Sequence, residues 1–234
     1  MKLDFAKKQF LFTLLFCFLC LVLRPIEVLA FESPNLIFQE ALDQSRKGDF
    51  VTAIESWNEY LKVSPKDPVA LSNRGNVLLA LGDPQGAILD QTQAIELLPE
   101  AYDPRLNRGL AEETMKEWDA AINDYNWVLL RDPKNASALY NLGNVQISLG
   151  NWSTAQSLFN QVLMIQPDSE MARSSLALAN YQMNELDHAE SELRSLIRKY
   201  PMFADSRAAL TALLWRRGFI GEAESNWAAV SGLD

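Results

Sequence analysis

Apolar side chains recur along most of the chain at the three- and four-residue spacing of amphipathic helices. Within residues 136–169 two such faces follow one another, separated by Gly150 and Asn151. The first face consists of Leu139, Leu142, Val145 and Leu149, and the second of Ala155, Leu158, Phe159, Val162 and Leu163. Pro167 ends the second face, because the residue before a proline disfavours the helical conformation. The pattern predicts a helix, a tight turn and a second helix, and therefore an all-α chain.

The same pattern returns every 34 residues without an insertion. Alanine recurs at one position of this period and proline at another, and a large residue follows each alanine by four. The alanines are Ala53, Ala87, Ala121, Ala155, Ala189 and Ala223, the prolines are Pro65, Pro99, Pro133, Pro167 and Pro201, and the large residues are Trp57, Gln91, Tyr125, Phe159, Leu193 and Trp227. A fixed period of this length indicates a stack of helical repeats that bury their apolar faces against their neighbours.

Two further positions of the period carry small residues. At the eighth position they allow the two helices of a repeat to approach closely, and at the turn glycine accepts a positive φ. The eighth position holds Ala41, Gly75, Gly109, Gly143, Ala177 and, as the loosest match, Thr211, and the turn holds Gly48, Gly82, Gly150 and Gly218. Asn184 is a tolerable substitute in the turn, whereas Lys116 predicts an altered turn in the third repeat.

These glycine, aromatic, alanine and proline positions resemble the tetratricopeptide repeat family, in particular its bacterial and cyanobacterial members. The six repeats are 34–67, 68–101, 102–135, 136–169, 170–203 and 204–234. The resemblance implies a right-handed solenoid of antiparallel helix pairs over residues 34–234, preceded by a short linker at 31–33. The first helix of each pair, helix A, would line a concave groove, and the second, helix B, would form the outer surface.

The first thirty residues have the pattern of a secretory signal peptide. Lys2, Lys7 and Lys8 precede an apolar run, Phe10–Leu23, and small side chains before Phe31 offer a cleavage site. The run is shorter than the roughly 20 residues that span a bilayer comfortably. We expect Sec-type export to the periplasm, or to the thylakoid lumen of a photosynthetic host. The alternative is an uncleaved anchor that tethers the chain to the membrane on the same side.

Composition and charge exclude several classes of function. The formal net charge is −9 and no basic run lies outside the N-terminus, so nucleic acid is a poor candidate partner. Both cysteines lie within the signal segment, and His188 is the single histidine, which we expect at the surface. The sequence therefore predicts no metal site, no cofactor and no enzymatic activity. We expect the adjacent Glu112 and Glu113 to form a solvated face rather than an acid/base pair.

The predicted groove carries an asparagine ladder at the sixth position of helix A, formed by Asn73, Asn107 and Asn141. The ninth position adds Asn76, Leu110 and Asn144, and Tyr140 lies beside the ladder. Amide side chains both donate and accept hydrogen bonds, so they can hold the backbone of an extended peptide. The alternative is that these asparagines serve the structure of the repeat. The resemblance places a clamp of lysines and arginines in members that bind acidic chaperone tails, and those basic residues are missing here.

Large apolar residues are concentrated in the last repeat, among them Trp215, Phe219, Ile220 and Trp227. They predict either an exposed surface for self-association or docking, or a core position like that of Trp57. The sequence thus favours an exported module that binds a protein or peptide as a scaffold or assembly factor. The alternative function is a membrane-anchored structural subunit or spacer that associates through its last repeat.

Overall fold

A computed structural model describes residues 33–201 and 204–231, and in these residues it contains twelve α-helices and no strand. The helices are α1 Pro34–Lys47, α2 Phe50–Val63, α3 Pro68–Ala80, α4 Pro84–Leu97, α5 Asp103–Thr114, α6 Trp118–Arg131, α7 Ala136–Ser148, α8 Trp152–Ile165, α9 Glu170–Gln182, α10 Leu186–Lys199, α11 Ala204–Arg217 and α12 Ile220–Ser231. The predicted all-α fold is confirmed. None of these described helices is long and apolar enough to cross a membrane. The predicted signal segment lies outside the described residues.

The helices stack in chain order into a solenoid. Each helix packs on the one before it and the one after it. Each odd-numbered helix of the first four pairs also touches its counterpart in the next pair, from α1 on α3 to α7 on α9, and no comparable contact joins the even-numbered helices of the described chain. The odd-numbered helices are the predicted helices A. Their mutual contacts place them on the inner, concave side of the stack.

The turn inside each helix pair is closed by one residue with a positive φ. Four of these residues are the predicted glycines, whose φ values lie between 75° and 83°. Lys116, with φ 62°, and Asn184, with φ 65°, fill the same place in the other two turns. The prediction of an altered turn at Lys116 is wrong. Its N–H donates to the carbonyl of Glu113 at 2.9 Å, as the N–H of Gly150 does to Ile147 at 2.9 Å.

The eighth position of helix A is where the two helices of a repeat approach most closely. A Cβ on Gly109 would lie 2.6 Å from a ring carbon of Tyr125, and a Cβ on Gly143 would lie 2.6 Å from one of Phe159. Real Cβ contacts are never this short, and both rings are fully buried. The predicted role of the small residues in close helix packing is confirmed.

Two ion pairs join helices A and B in the second and third repeats. Arg74 donates to both carboxylate oxygens of Asp90 at 2.6 and 2.7 Å, and Arg108 does the same to Asp124 at 2.7 and 2.8 Å. Both aspartates are buried. The remaining guanidinium nitrogen of each arginine reaches the preceding repeat, where it donates to Asn58 or to Thr92. Each arginine therefore connects three helices.

The fourth repeat replaces this ion pair by apolar contact. Leu142 and Leu158 stand where the third repeat has Arg108 and Asp124. Both leucines are buried in one cluster with Tyr125 and Val162. The same place in the fold therefore accepts a charged pair or an apolar pair, because each pair leaves no buried group without a partner.

Candidate functional site

An open cavity of about 1080 Å³ runs along helices α3, α5 and α7. Its walls are the N-terminal parts of these helices, the loop between α4 and α5, the C-terminal end of α8 and the residues around the start of α9. The cavity thus extends along the concave side over three repeats and touches a fourth. We call this cavity the central groove.

Five of the seven residues predicted to bind a peptide line the central groove. They are Asn73, Asn76, Asn107, Tyr140 and Asn141. The other two, Leu110 and Asn144, share the register of Asn76 but do not line the cavity. Leu110 is exposed and Asn144 is half-buried, so both remain on the concave side beyond the edge of the groove.

The asparagine side chains of the second repeat already make hydrogen bonds within the protein. Asn73 donates its amide to the carbonyl of Val69 at 2.8 Å, within its own helix. Asn76 accepts from the Nε2 of Gln91 at 3.0 Å, and Gln91 also donates to the carbonyl of Ser72 at 2.9 Å. Gln91 is the single polar member of its series, and it is fully buried behind the groove. Its hydrogen bonds orient the groove wall, which explains a polar residue in an otherwise apolar register.

The ladder asparagines of the third and fourth repeats make a long hydrogen bond or none within the described part of the chain. Asn107 donates to the hydroxyl of Ser72 at 3.5 Å, across two neighbouring helices A. The amide of Asn141 has no hydrogen bond to any residue in the described part of the chain. Beside it, the Tyr140 hydroxyl lies 3.5 Å from that of Ser175. Asn141 is therefore the ladder residue whose donors and acceptor are free for a ligand.

Sequence reasoning missed the part of the groove that comes from loops. Leu98 and Tyr102 line it from the loop before α5, and Gln166 lines it from the loop after α8. The family pattern considers positions along helix A, so it offers no signal for residues between the repeats. Met171 could have been found, because it occupies the second position of its helix, as Val69 does in the second repeat.

The central groove is nearly neutral, with a small excess of negative charge. Glu100 and Asp103 are the charged residues among its lining, and no lysine or arginine of the described chain lines it. Val69, Asp103 and Ser137 occupy the second positions, where the clamp for acidic tails would need basic residues. The groove therefore lacks the cations that hold carboxylates.

Behind the groove, Glu112 is buried, which corrects the prediction that Glu112 and Glu113 form a solvated face. Glu112 is 7% exposed, and its Oε2 has no hydrogen-bond partner. Desolvation, reinforced by the nearby Asp124, raises the pKa of Glu112 to about 7. Burial also raises the pKa of Glu113, against a hydrogen bond from Tyr125 that lowers it. Both carboxyl groups face inward, because helix A turns this part of its surface toward helix B.

We expect Glu112 to make the protein less stable as the pH rises. The folded-state pKa lies above the ordinary value of 4.5, so its stabilising effect is complete below pH 4.5 and is lost as the pH rises through 7. The loss should be about 2 to 3 kcal/mol between pH 5 and 8. Glu112→Gln, which introduces the residue found as Gln146 in the next repeat, should remove most of this loss. Urea unfolding of both proteins at pH 5 and pH 8 checks the prediction, and parallel pH profiles would contradict it.

The sixth repeat ends in an exposed apolar surface. Trp215, Phe219, Ile220 and Trp227 are each about half exposed, at 49%, 48%, 51% and 49%. Trp57 holds the same position as Trp227 but is fully buried, since the next repeat packs over it. The alternative in which both tryptophans belong to the core is wrong. Self-association through this surface stays a prediction, which light scattering at increasing protein concentration would test.

The predicted surface position of His188 is confirmed. Its side chain is 76% exposed and lies 3.4 Å from a carboxylate oxygen of Glu185. Within residues 33–201 and 204–231, no group of three or more histidine, cysteine, aspartate or glutamate side chains is placed to hold a metal ion. The polar groups of the central groove are mainly amides and hydroxyls, whose chemistry is hydrogen bonding.

A solenoid of helix pairs with an open groove along its inner helices defines a helical-repeat interaction module. The chain belongs to the tetratricopeptide repeat family. Two family models described as tetratricopeptide repeat match residues 38–102 and 114–178, which together are more than half of the chain. The protein is therefore a module for interaction with other proteins.

Curated relatives match a part of the chain. It is 29% identical over 119 residues to Hsp70-Hsp90 organizing protein 2 of Arabidopsis thaliana, which is 50% of this chain and 21% of the relative. It is 33% identical over 87 residues to Hsp70-Hsp90 organizing protein 1 of Glycine max, which is 37% of this chain and 15% of the relative. The match thus spans about a fifth or less of these relatives.

Solved structures share the fold over a larger part of the chain. A tetratricopeptide repeat protein from Parabacteroides merdae superposes with a TM-score of 0.71 at 24% identity, over 86% of this chain and 80% of that one. A protein of the same fold from Thermus thermophilus gives a TM-score of 0.65 at 20% identity, over 78% of this chain and the whole of that one. These similarities support the solenoid fold.

Proposed function

We propose that this protein is an exported scaffold or assembly factor that holds an extended segment of another protein in the central groove. The observation that carries the proposal is Asn141, whose amide points into a groove lined by apolar side chains and has no partner among the described residues. An unpaired amide can donate to a backbone carbonyl and accept from a backbone N–H of the segment. Exposed Val69, Leu98 and Met171 can receive its apolar side chains.

A pair of asparagine substitutions tests the groove. The protein is purified gently from its host, co-purifying chains are identified, and the affinity of one stoichiometric chain is measured by calorimetry. Asn107→Ala with Asn141→Ala should weaken binding about ten- to thirty-fold, since each lost hydrogen bond is worth about 1 kcal/mol. Asn123→Ala with Asn160→Ala is the matched control, because these exposed asparagines lie on helices B outside the groove lining. Equal affinities of the groove variant and the control would reject the site.

Export is tested separately by the intact mass of the native protein. We expect a mass that begins at Phe31 and a protein recovered without detergent. The motivation is the charged start, the apolar run Phe10–Leu23 and the small residues before Phe31. A full-length mass in the membrane fraction would overturn cleavage and favour the anchored alternative.

A further inference from the structure

The central groove presents charge of one sign to a ligand. Its charged lining residues are Glu100 and Asp103, and both are acidic and exposed. Over repeats 2 to 4 the rest of the lining consists of amides, hydroxyls and apolar side chains. A bound segment would therefore meet no cation in the groove wall.

The arginines of helices α3, α5 and α6 are already held by the protein. Arg74 and Arg108 are bidentate partners of buried aspartates. The guanidinium groups of Arg105 and Arg131 lie 3.8 and 3.5 Å from the ring centroid of Trp127, which they sandwich. Cations stacked on an indole ring and hydrogen-bonded elsewhere cost free energy to redirect toward a ligand.

Of the two acidic residues, Asp103 is the one free to act. Glu100 accepts from Arg131 at 3.1 Å, so its charge is partly neutralised. Asp103 has no ion pair and no hydrogen bond from its side chain to any described residue. It lies in the first turn of α5, in the middle repeat of the groove. The uncompensated charge of the groove is therefore the carboxylate of Asp103.

We propose that the central groove selects extended protein segments in which a lysine or arginine is flanked by apolar residues, and that it rejects acidic segments. The cation pairs with Asp103, the backbone pairs with Asn107 and Asn141, and apolar side chains pack on Val69 and Leu98. Neighbouring helices lie roughly 8–10 Å apart, so three helices A accommodate about five or six extended residues. The inference rests on the proposed function of the groove and adds the charge of its partner.

Selection from a random library of displayed twelve-residue peptides tests this preference with the purified full chain. Bound peptides should be enriched in lysine and arginine and depleted in aspartate and glutamate, relative to the input library. Asp103→Asn should weaken the binding of a selected peptide about two- to five-fold, and raising the salt to 0.5 M should abolish the difference. Asp103→Lys should instead select acidic peptides.

Asp205→Asn is the matched control, since Asp205 occupies the second position of its helix in repeat 6, outside the groove lining, and is also exposed. It should leave peptide selection unchanged. If the original protein enriches acidic or uncharged peptides, and the variant with Asn107→Ala and Asn141→Ala no longer binds them, the charge preference is wrong but the groove still binds peptides. Peptides captured equally by that groove variant would overturn the groove function itself. A selection that enriches no peptide would count against both.

Discussion

Arg108→Leu is expected to lower the free energy of unfolding by about 3 kcal/mol. The substitution removes two short hydrogen bonds to Asp124 and leaves that carboxylate, 4% exposed, without its main partner. Breaking a buried pair on one side costs more than the pair contributes, because a buried charge remains uncompensated. The more distant Arg105, 3.5 Å from Asp124, can replace little of this interaction. Urea denaturation followed by circular dichroism measures the loss.

The double variant Arg108→Leu with Asp124→Leu should recover most of that stability, to within about 1 kcal/mol of the original protein. Its two leucines reproduce Leu142 and Leu158 of the following repeat, which the same fold packs without polar groups. Lys62→Leu serves as the control, because Lys62 and its partner Glu59 are 67% and 61% exposed and such a pair is worth less than about 1 kcal/mol. A double variant as unstable as the single one would show that Arg108 stabilises the repeat by other means.

Gly143→Ala is expected to cost about 2 kcal/mol, although alanine is the better helix former. The added Cβ would come within 2.6 Å of a ring carbon of Phe159. Phe159 is fully buried and packs against Tyr140, with ring centroids 5.7 Å apart, so it has no free space to enter. The two helices of the repeat must then separate, and the Tyr140 side of the central groove should shift with them.

Gly221→Ala is the control for this experiment, since nothing lies within 4 Å of a Cβ built at Gly221 in α12. It should leave stability unchanged or raise it by about 0.5 to 1 kcal/mol, through helix propensity alone. Thermal and urea unfolding of both variants give the comparison. If both substitutions stabilise the protein, the close approach at the eighth position is not a packing constraint.

The helices could be predicted because their causes are local and periodic. The 34-residue period fixes which positions are apolar, small or proline, and the solenoid follows from stacking such units. The turn at Lys116 could not be predicted from residue preference, because the hydrogen bonds around it impose a positive φ that lysine would not choose. A non-glycine residue pays roughly 1 to 2 kcal/mol for that conformation. The surrounding helices outweigh this cost.

The buried charges were missed for a different reason. The adjacent pair Glu112 and Glu113 indicates a solvated face in the sequence, whereas the burial of Glu112 depends on which face of helix A meets helix B. The sequence does contain a signal for the ion pairs. Arg74 and Arg108 are 34 residues apart, as are Asp90 and Asp124, and each arginine precedes its aspartate by 16 residues. Such paired recurrence indicates contact between the two helices of a repeat.

The central groove was predictable where helices supply it and unpredictable where loops do. The register of helix A predicts that Asn107 and Asn141 line the groove. Whether an amide side chain already has a hydrogen-bond partner depends on its neighbours in three dimensions, which the register does not give. Gln91 illustrates this, because its polarity in an apolar register is explained only by Asn76 and Ser72 on the helix that it faces.

The nearest-neighbour packing of the twelve described helices has a consequence for how the chain reaches its native state. The substantial helix contacts join elements one or two places apart in the sequence, so the described domain has a low contact order. Chains of low contact order fold fast, because no distant segments must find each other first. Folding can begin at any two adjacent repeats and spread outward in both directions. A solenoid of this kind can therefore acquire structure progressively as its chain emerges from a ribosome or a translocation channel.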